Sequence, residues 1–354
     1  MVLLVNNAWK GTGVGRYIDS IFKIFIKEKK DIEMLYIKNS RDYGEKNKLI
    51  KIMEGPFPKA EINNYFYFPR KIPKGENLYH ITNETIGRCC SSKPSVGSCM
   101  DLIPFLYPSN YNKSTLFFRK RQLAGLKKAE KVIAISENTK KDFIKITKTA
   151  KEKVEVVYLG VDTSIFKKRD KEKSRKTLGL PQDKNIIIHV GRDEPRKNVA
   201  GLIKIFPGCG KDTILLKVGN LSEQSRILAR KLGVEKRIIE MSPKDSLMPI
   251  VYSSADVFVF PSFYEGFGLP ILEAMACGVP VVASNTSSIP EVVENSGIMH
   301  SPQDITGLSE SIKSIFNSKS LSNSISKKGL LRASVFTWEK CAKKTWEVYE
   351  GVMK

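Results

Sequence analysis

One segment constrains the fold of this chain more than any other, the stretch at 264–280, YEGFGLPILEAMACGVP. It contains three residues that interrupt a helix, namely Gly266, Gly268 and Pro270. Because proline fits best in the first turn of a helix, we predict that Glu265 lies on a loop and that Glu273 lies in the first turn of the helix that follows. The apolar run at 256–261, DVFVFP, predicts a buried strand before the loop. The predicted unit is a strand, a glycine loop and a helix N-terminus.

This unit suits a ligand that carries both phosphate and hydroxyl groups. The free amides and the positive dipole end of a helix N-terminus attract an anion. A carboxylate such as Glu265 or Glu273 cannot bind phosphate, but it accepts hydrogen bonds from ribose or sugar hydroxyls. A site that offers both kinds of group is typical of sugar-nucleotide binding. The alternative is that the glycines form ordinary turns and that Glu265 is a solvated loop residue.

Strand and helix patterns alternate along both halves of the chain. The second half begins with NIIIHVG at 185–191, an apolar run of the kind that parallel strands buried on both faces show. Alternation of this type predicts an α/β fold with two Rossmann-like, doubly wound domains. Ligands of open parallel sheets lie beyond the carboxyl ends of the strands, which places the glycine loops at ligand-binding positions.

The chain has 354 residues, a length that favours two domains. We predict an N-terminal domain at 1–165, a C-terminal domain at 166–336 and a long C-terminal helix at 337–354. Residues 160–184 are predicted to be a linker because they combine glycine and proline with a lysine-rich stretch. Residues 41–75 are predicted to be irregular.

A second glycine-rich loop follows the first predicted strand. Its glycines are Gly11, Gly13 and Gly15, and they precede an amphipathic helix. The loop allows the backbone to approach a phosphate, and a purely structural tight turn is the alternative. A nicotinamide or flavin fingerprint is disfavoured, because Arg16 stands where the third glycine is needed and Glu33 stands at the start of strand two instead of its end.

Together these segments resemble the family 4 retaining glycosyltransferases, which have the GT-B fold. Glu265 and Glu273 match the E-x7-E motif of that family. The other matching segments, in family order, are 7–17 (NAWKGTGVGRY), 191–198 (GRDEPRKN), 287–297 (SSIPEVVENSG) and 336–342 (FTWEKCA). The resemblance implies a GT-B fold, with two Rossmann-like domains facing a cleft and the C-terminal helix crossing back to an acceptor-side N-terminal domain. The mannosyltransferase-like branch is the most similar.

The resemblance also implies roles for particular residues. Glu273 would hold the ribose hydroxyls, and Glu265 would lie beside the transferred sugar. The expected catalytic residues are Glu265, Arg192, Lys197 and Asp101. The expected donor-binding residues are Gly13, Val14, Gly15, Arg192, Lys197, Gly266, Phe267, Gly268, Leu269 and Glu273.

Arg192 and Lys197 are expected to stabilise the diphosphate that leaves the donor. Fixed cations stabilise such a leaving group as its charge develops. The chain contains no D-x-D motif, so we expect no metal and no cofactor other than the GDP- or UDP-linked sugar substrate. Arg196 is nearby and is predicted to be a surface residue. A solvated loop is the alternative for Arg192 and Lys197.

The chain departs from the family pattern at one position. Family members usually carry a His-Asp pair after a strand of the first domain, and here Met100 precedes Asp101. Of the three histidines, His189 is predicted to be a satisfied core residue, whereas His80 ends a predicted strand and is a candidate for the cleft. The methionine leaves open the identity of the sugar and whether the chain is catalytic.

The net charge of +22 predicts attraction to anionic partners. A basic helix is predicted between Leu116 and Lys131, with Arg119, Lys120 and Arg121 beside apolar residues, and such a surface can bind anionic lipid. An ordinary solvated helix face is the alternative. Nucleic-acid binding is not expected, because zinc-finger spacing, basic-region heptads and RNP-like strands are absent from the sequence.

The six cysteines form no C-x2-C pair, and the first residues predict a strand rather than a signal peptide. Both features indicate a cytoplasmic protein, with peripheral membrane contact through the basic helix left open.

The sequence therefore predicts a metal-independent, retaining hexosyltransferase. It would transfer mannose or a similar hexose from a nucleoside-diphosphate donor to a glycan or a lipid-linked acceptor. A non-catalytic GT-B protein that binds a nucleotide sugar or a glycan is the first alternative, and a basic nucleic-acid-binding protein is the second.

Overall fold

A computed structural model describes residues 1–8, 11–38, 48–57, 59–92 and 94–354. The chain divides into two compact units, one formed by residues 1–160 with 338–354 and the other by residues 161–337. These limits lie close to the predicted domain boundaries. Each unit is built around one parallel sheet.

The first unit contains a seven-stranded parallel sheet in the order β3-β2-β1-β4-β5-β6-β7. Its strands are β1 Val2–Asn6, β2 Ile32–Lys38, β3 Ile50–Glu54, β4 Leu78–Ile81, β5 Ser95–Cys99, β6 Lys131–Ala134 and β7 Val154–Val156. Its first six helices are α1 Gly13–Lys27, α2 Ala60–Ile62, α3 Phe68–Lys71, α4 Ile103–Leu106, α5 Lys113–Leu126 and α6 Glu137–Thr147. A π-helical turn at Asn63–Tyr67 joins α2 to α3, and a 3-10 helix spans Glu84–Ser91.

The second unit contains a six-stranded parallel sheet in the order β10-β9-β8-β11-β12-β13. Its strands are β8 Asn185–Val190, β9 Thr213–Val218, β10 Ile238–Met241, β11 Val257–Phe260, β12 Val281–Ser284 and β13 Ile298–His300. Its helices are α7 Lys171–Leu178, α8 Val199–Ile205, α9 Glu223–Lys231, α10 Met248–Ser253, α11 Leu269–Ala276, α12 Ile289–Val293, α13 Ile305–Asn317 and α14 Lys319–Val335.

Both sheets have the doubly wound order in which strand order reverses next to the first strand of the unit. The reversal falls between β1 and β4 in the first unit and between β8 and β11 in the second. The predicted alternation of strand and helix is therefore confirmed, and the fold is a two-domain α/β GT-B fold. Ligand sites of such sheets lie at the carboxyl ends of the strands beside the reversal.

The last helix, α15 Trp338–Met353, belongs to the first unit. It packs on α1, where the ring centroids of Phe25 and Trp346 are 5.2 Å apart. The hydroxyl of Tyr349 lies 2.6 Å from Nδ1 of His80 on β4. The chain thus returns to the N-terminal unit, as the predicted crossing helix requires.

Three predictions of local structure were wrong. Residues 160–184 are not only a linker, because α7 forms there with Asp170 as its N-cap and Gly179 as a left-handed C-cap. The region predicted to be irregular, 41–75, contains β3 and helical turns, although residues 41–47 and Pro58 lie outside the described residues. The basic helix spans Lys113–Leu126, so Lys131 lies on β6 instead, where its ammonium bonds Glu155 at 2.9 Å.

Candidate functional site

Two loops of the second unit meet at the strand-order reversal. One loop follows β8 and contains residues 191–197, and the other follows β11 and contains residues 261–268. A backbone hydrogen bond of 2.7 Å joins them, from the amide of Phe263 to the carbonyl of Arg196. The predicted cation segment and the E-x7-E loop therefore form one site.

The centre of this site is an ion-pair cluster around Glu265. Its Oε1 lies 2.7 Å from Nζ of Lys197, and its Oε2 lies 3.0 Å from Nη1 of Arg196. The side chains of Glu265 and Lys197 are only 9% and 10% exposed. Burial lowers the pKa of Lys197, and the charge of Glu265 opposes that shift. The carboxylate thus helps to keep a buried ammonium charged at the place where an anion is expected.

The exposures of the two arginines in this segment are the reverse of those that the sequence predicted. Arg196, predicted to be a surface residue, is 16% exposed and bridges Glu265 and Glu194. Arg192, predicted to bind the diphosphate, is 86% exposed and pairs with Glu194 at 2.8 Å. Arg196 was missed because its position next to Lys197 gives no indication of which way the chain turns.

Asn198 fixes that turn. It has the left-handed backbone conformation, with φ of 53°, and it caps α8 through the amide of Gly201 at 3.1 Å. Its Nδ2 donates to the carbonyls of Pro261 at 3.0 Å and Pro302 at 2.9 Å. Asparagine tolerates this conformation better than most residues. Its presence at this position is the one sequence signal that could have predicted the turn.

Two serines hold the E-x7-E loop from the side. The amide of Glu265 donates to Oγ of Ser287 at 3.0 Å. The hydroxyl of Ser288 lies 2.9 Å from the carbonyl oxygens of both Glu265 and Phe267. These serines begin the 287–297 segment, so its part in the site is to fix the backbone around Glu265.

Glu273 lies farther along α11 than predicted. The helix begins at Leu269, which places Glu273 in the second turn rather than the first. It is 4% exposed, and the buried hydroxyl of Tyr252 donates to its Oε2 at 2.7 Å. Gly268, the N-cap, has a φ of +115°, a conformation that side-chain-bearing residues rarely adopt. Gly266 and Phe267 precede it on the loop, as predicted.

In the first unit, Gly13, Val14 and Gly15 open α1 as predicted. Thr12 caps the helix by accepting the amide of Gly15 at 3.0 Å. The same loop also includes Trp9 and Lys10, which lie outside the described residues.

Beside it, polar side chains at the ends of β1 and β4 form a ring. Asn83 donates to Asn7 at 2.7 Å, Asn7 donates to Thr85 at 3.0 Å, and Thr85 donates back to Asn83. Each side chain is held by the other two, so the polar groups at this strand-order reversal are preorganised.

A cavity of about 290 Å³ adjoins this ring. Asn7, Thr85, Phe118, Arg119 and Gln122 contribute to its lining. Oε1 of Gln122 accepts the amide of Arg88 at 2.8 Å, which fixes the orientation of the side-chain amide, and its buried Nε2 finds no acceptor among the described residues.

Met100 and Asp101 lie at the end of β5, close to Glu84. The amide of Met100 donates to Oε2 of Glu84 at 3.0 Å, and Oδ1 of Asp101 accepts the amide of Ile103 at 3.1 Å. Burial and the neighbouring charge of Asp101 raise the pKa of Glu84 to about 7. Sequence reasoning missed Glu84 because it begins a 3-10 helix and belongs to no motif.

The histidine expectations had mixed outcomes. His80 is not a candidate for a ligand site, because it is fully buried between Tyr349 and Ser98, whose Oγ lies 2.8 Å from its Nε2. His189 is buried as predicted, and its Nδ1 lies 3.0 Å from the carbonyl of Val259. Its Nε2 has no partner among the described residues, so it is only partly satisfied. Burial lowers the pKa of both imidazoles to about 3.

Comparison with known proteins relates this architecture to one class of enzyme. Residues 170–332, which contain the whole ion-pair cluster and Glu273, match the family model of glycosyl transferases group 1. This segment is therefore similar to the glycosyl transferases of group 1. The matched segment contains the E-x7-E loop, residues 191–197, and the two serines, Ser287 and Ser288, that hold the loop.

Individual relatives extend the comparison along the chain. The O-antigen chain mannosyltransferase B of Escherichia coli is 26% identical over 306 residues, which cover 80% of this chain and 72% of that protein. A D-inositol 3-phosphate glycosyltransferase of Mycolicibacterium paratuberculosis is 30% identical over 161 residues, only 36% of its length. A structure of Anabaena HepE in complex with UDP and glucose superposes with a TM-score of 0.82 at 20% identity and covers 99% of both chains. That likeness shows the fold.

Two further observations concern membrane-spanning helices and metal-binding groups among the described residues. Among the described helices, none is long and apolar enough to cross a membrane. Within the same described ranges, no group of three or more His, Cys, Asp or Glu side chains is arranged to hold a metal ion.

Proposed function

We propose that this chain is a retaining hexosyltransferase that transfers a sugar from a nucleoside-diphosphate donor to a glycan or lipid-linked acceptor. GDP-mannose is the first donor to test, because the Escherichia coli relative is named a mannosyltransferase. UDP-glucose is the second, because the HepE structure holds UDP and glucose. The catalytic residues of the proposal are Glu265, Lys197, Arg192 and Asp101, and we add Arg196 because it pairs with Glu265.

The observation that carries this proposal is the buried ion-pair cluster at the carboxyl ends of β8 and β11. Lys197 and Arg196 are held within 3.0 Å of Glu265, at the strand-order reversal where sheets of this kind bind ligands. Preorganised cations stabilise the charge that develops on a diphosphate leaving group without reorganisation during the reaction. In this proposal they take the place of a metal ion.

The acids have different roles in the proposed reaction. Both oxygens of Glu265 face cations, an arrangement that suits orienting Lys197 and the donor sugar rather than abstracting a proton. We propose that the donor phosphate assists deprotonation of the acceptor in a front-face attack, which retains the anomeric configuration. Glu273 would accept the ribose hydroxyls, with Tyr252 fixing its carboxylate. A glycosidase mechanism would instead need two carboxylates flanking the bond.

The acceptor part of the proposal rests on the cavity of the first unit. Its volume of about 290 Å³ is close to the lower end of ligand pockets, about 300 Å³, and suits one sugar ring. Phe118 supplies an apolar face, while Thr85, Arg119 and the amide of Gln122 supply polar groups.

Gln122→Glu should raise the acceptor KM by about tenfold, because it keeps the acceptor for the Arg88 amide but removes the Nε2 donor. Thr85→Val should act in the same direction. Steady-state kinetics with varied acceptor would measure both effects, with Lys113→Ala on the exposed side of α5 as the control. Unchanged acceptor KM in both variants would remove this cavity from the proposal.

Membrane contact is proposed for α5. Phe117 is 50% exposed, and the guanidinium of Arg121 lies 5.3 Å from its ring centroid. Arg119 and Lys120 are on the same helix. Binding to anionic vesicles, measured by flotation, should weaken as the salt concentration rises. Binding that is unchanged after charge reversal at Arg119, Lys120 and Arg121 would exclude α5 as the contact.

The test of the proposed function is a donor panel in the presence and absence of EDTA. Thermal shift identifies the nucleotide that binds, because a ligand of the native state raises the melting temperature. Nucleotide release from GDP-mannose, UDP-glucose and 6-deoxy sugar donors then measures transfer. We expect turnover that EDTA leaves unchanged, whereas loss with EDTA and recovery with manganese would overturn metal independence.

One outcome would favour the binding-protein alternative. If nucleotide binds tightly but no donor turns over, and Met100→His restores turnover, the native chain binds nucleotide sugars without catalysis. The reason to examine Met100 is that a thioether cannot donate a hydrogen bond to a sugar hydroxyl, whereas an imidazole can.

A further inference from the structure

Lys217 occupies an unusual place beneath the 191–197 segment. It lies on β9, between the edge strand β10 and β8, and its side chain is fully buried. Lysine is almost never fully buried unless its ammonium is paired. The sequence gives no motif for this residue, and the proposed reaction assigns it no role.

The ammonium of Lys217 bonds the carbonyl ends of two neighbouring strands. It donates to the carbonyl of Gly191 after β8, to that of Val218 at 3.0 Å and to that of Gly219 at 3.2 Å. An ammonium has three donors, and each has an acceptor here. The two glycines have φ values of +145° and +94°, and a Cβ on Gly219 would lie 2.7 Å from the Gly191 carbonyl oxygen. Only glycine allows the two turns to approach in this way.

A second contact fastens the same segment to the loop after β9. Oδ2 of Asp193 accepts both the amide and the hydroxyl of Ser222, each at 2.8 Å. The chain from Gly191 to Asp193 is thus anchored at two points before it reaches Lys197. The first anchor is a positive charge, and the second is a neutral hydroxyl and amide.

We propose that Lys217 is a positioning residue for the donor, whose buried ammonium fixes the 191–197 segment and adds positive potential beneath it, so that a nucleoside diphosphate binds more tightly while Lys217 is protonated. This inference rests on the proposed function, since it assumes that a diphosphate binds beside Lys197.

The electrostatic surroundings of Lys217 set the pH range. Burial lowers its pKa to about 8. Asp193 and Glu240 oppose this shift, Lys197 adds to it, and the neutral His189 lies close by. A bound diphosphate would raise the pKa of Lys217 above that of the unliganded protein. Affinity should therefore be highest below pH 8 and should fall, by at most about tenfold per pH unit, as the pH rises through 8.

The experiment is isothermal titration of GDP and UDP into the full chain between pH 7 and pH 9, in two buffers of different ionisation enthalpy. We expect the wild-type protein to take up protons on binding near pH 8. Lys217→Met should lose that uptake and bind at least about tenfold more weakly at pH 7. Lys217→Arg should keep the affinity at pH 7 and lose the decline above pH 8, because arginine stays charged. Lys231→Met on the exposed side of α9 should behave like the wild type.

Each outcome decides a different point. A decline above pH 8 that persists in Lys217→Arg would overturn the inference, even if Lys217→Met failed to fold, because arginine does not titrate in this range. Affinity unchanged in a folded Lys217→Met protein would also overturn it, while leaving the proposed function intact. Binding of neither GDP nor UDP to the wild type would overturn the proposed function and this inference with it.

Discussion

Lys197→Ala should lower kcat/KM by about two to four orders of magnitude, because it removes a preorganised cation from the diphosphate leaving group. The side chain is held by Glu265 in a site that is largely shielded from water, where electrostatic stabilisation is stronger than at an exposed surface. The measurement is the rate of nucleotide release with the best donor of the panel. Turnover within threefold of the wild type would contradict this role for Lys197.

Two comparisons make the Lys197 result specific. Lys204→Ala removes an exposed lysine from α8 and should leave the rate unchanged. Arg192→Ala distinguishes the role that the resemblance implies for Arg192 from the role that its exposure in the structure predicts. The resemblance implies a loss as large as that of Lys197, whereas the 86% exposure of Arg192 predicts a smaller one unless the donor orders its side chain.

Glu265→Gln should reduce stability and turnover while strengthening nucleotide binding. The variant leaves Lys197 and Arg196 partly buried without their shared carboxylate, and breaking such a pair costs about 3 kcal/mol of unfolding free energy. A diphosphate would then meet two cations without a competing anion, so the affinity for GDP or UDP should rise by about tenfold. Turnover should fall by about two orders of magnitude, because Lys197 loses the group that orients it.

Urea denaturation with and without nucleotide would measure the stability effect, and titration calorimetry would measure affinity. Saturating nucleotide should recover part of the lost stability, because it binds only the native state. Glu310→Gln on α13 is the control, since this position is exposed and lies outside both the cluster and the 287–297 segment. A variant that loses stability and nucleotide affinity together would show that Glu265 is structural and that the cations do not form the diphosphate site.

Sequence periodicity predicted most strands of the two sheets, but not β3, which lies in the region predicted to be irregular. The run NIIIHV places isoleucines on both faces of a strand, and it forms β8 with Ile186, Ile187 and Ile188 fully buried. The amphipathic helix predicted after the first glycine loop is α1, and its residues Ile18, Ile21, Phe22 and Phe25, which recur at helical spacing, are all buried. These outcomes follow from local physics, because a residue's side of a strand or a helix is fixed by its position in the repeat.

The directions of the loop side chains could not be predicted from the sequence in this way. Arg192, Arg196 and Lys197 are all basic and lie within six positions of one another, yet Arg192 is exposed, Arg196 is half-buried and Lys197 is buried. Their directions depend on the left-handed turn at Asn198, which is stabilised by carbonyls more than 60 positions away. No repeat fixes such a choice.

The sequence by itself determined the alternation of strand and helix, the loop position of Glu265 and the neighbourhood of Lys197. Only the tertiary structure decided that Arg196 rather than Arg192 joins Glu265, and that His80 belongs to a packed core. It also placed Lys217 beneath Gly191. The reason is that periodic burial is encoded by neighbours along the chain, whereas the partners of a buried charge come from strands that are adjacent only in the folded sheet.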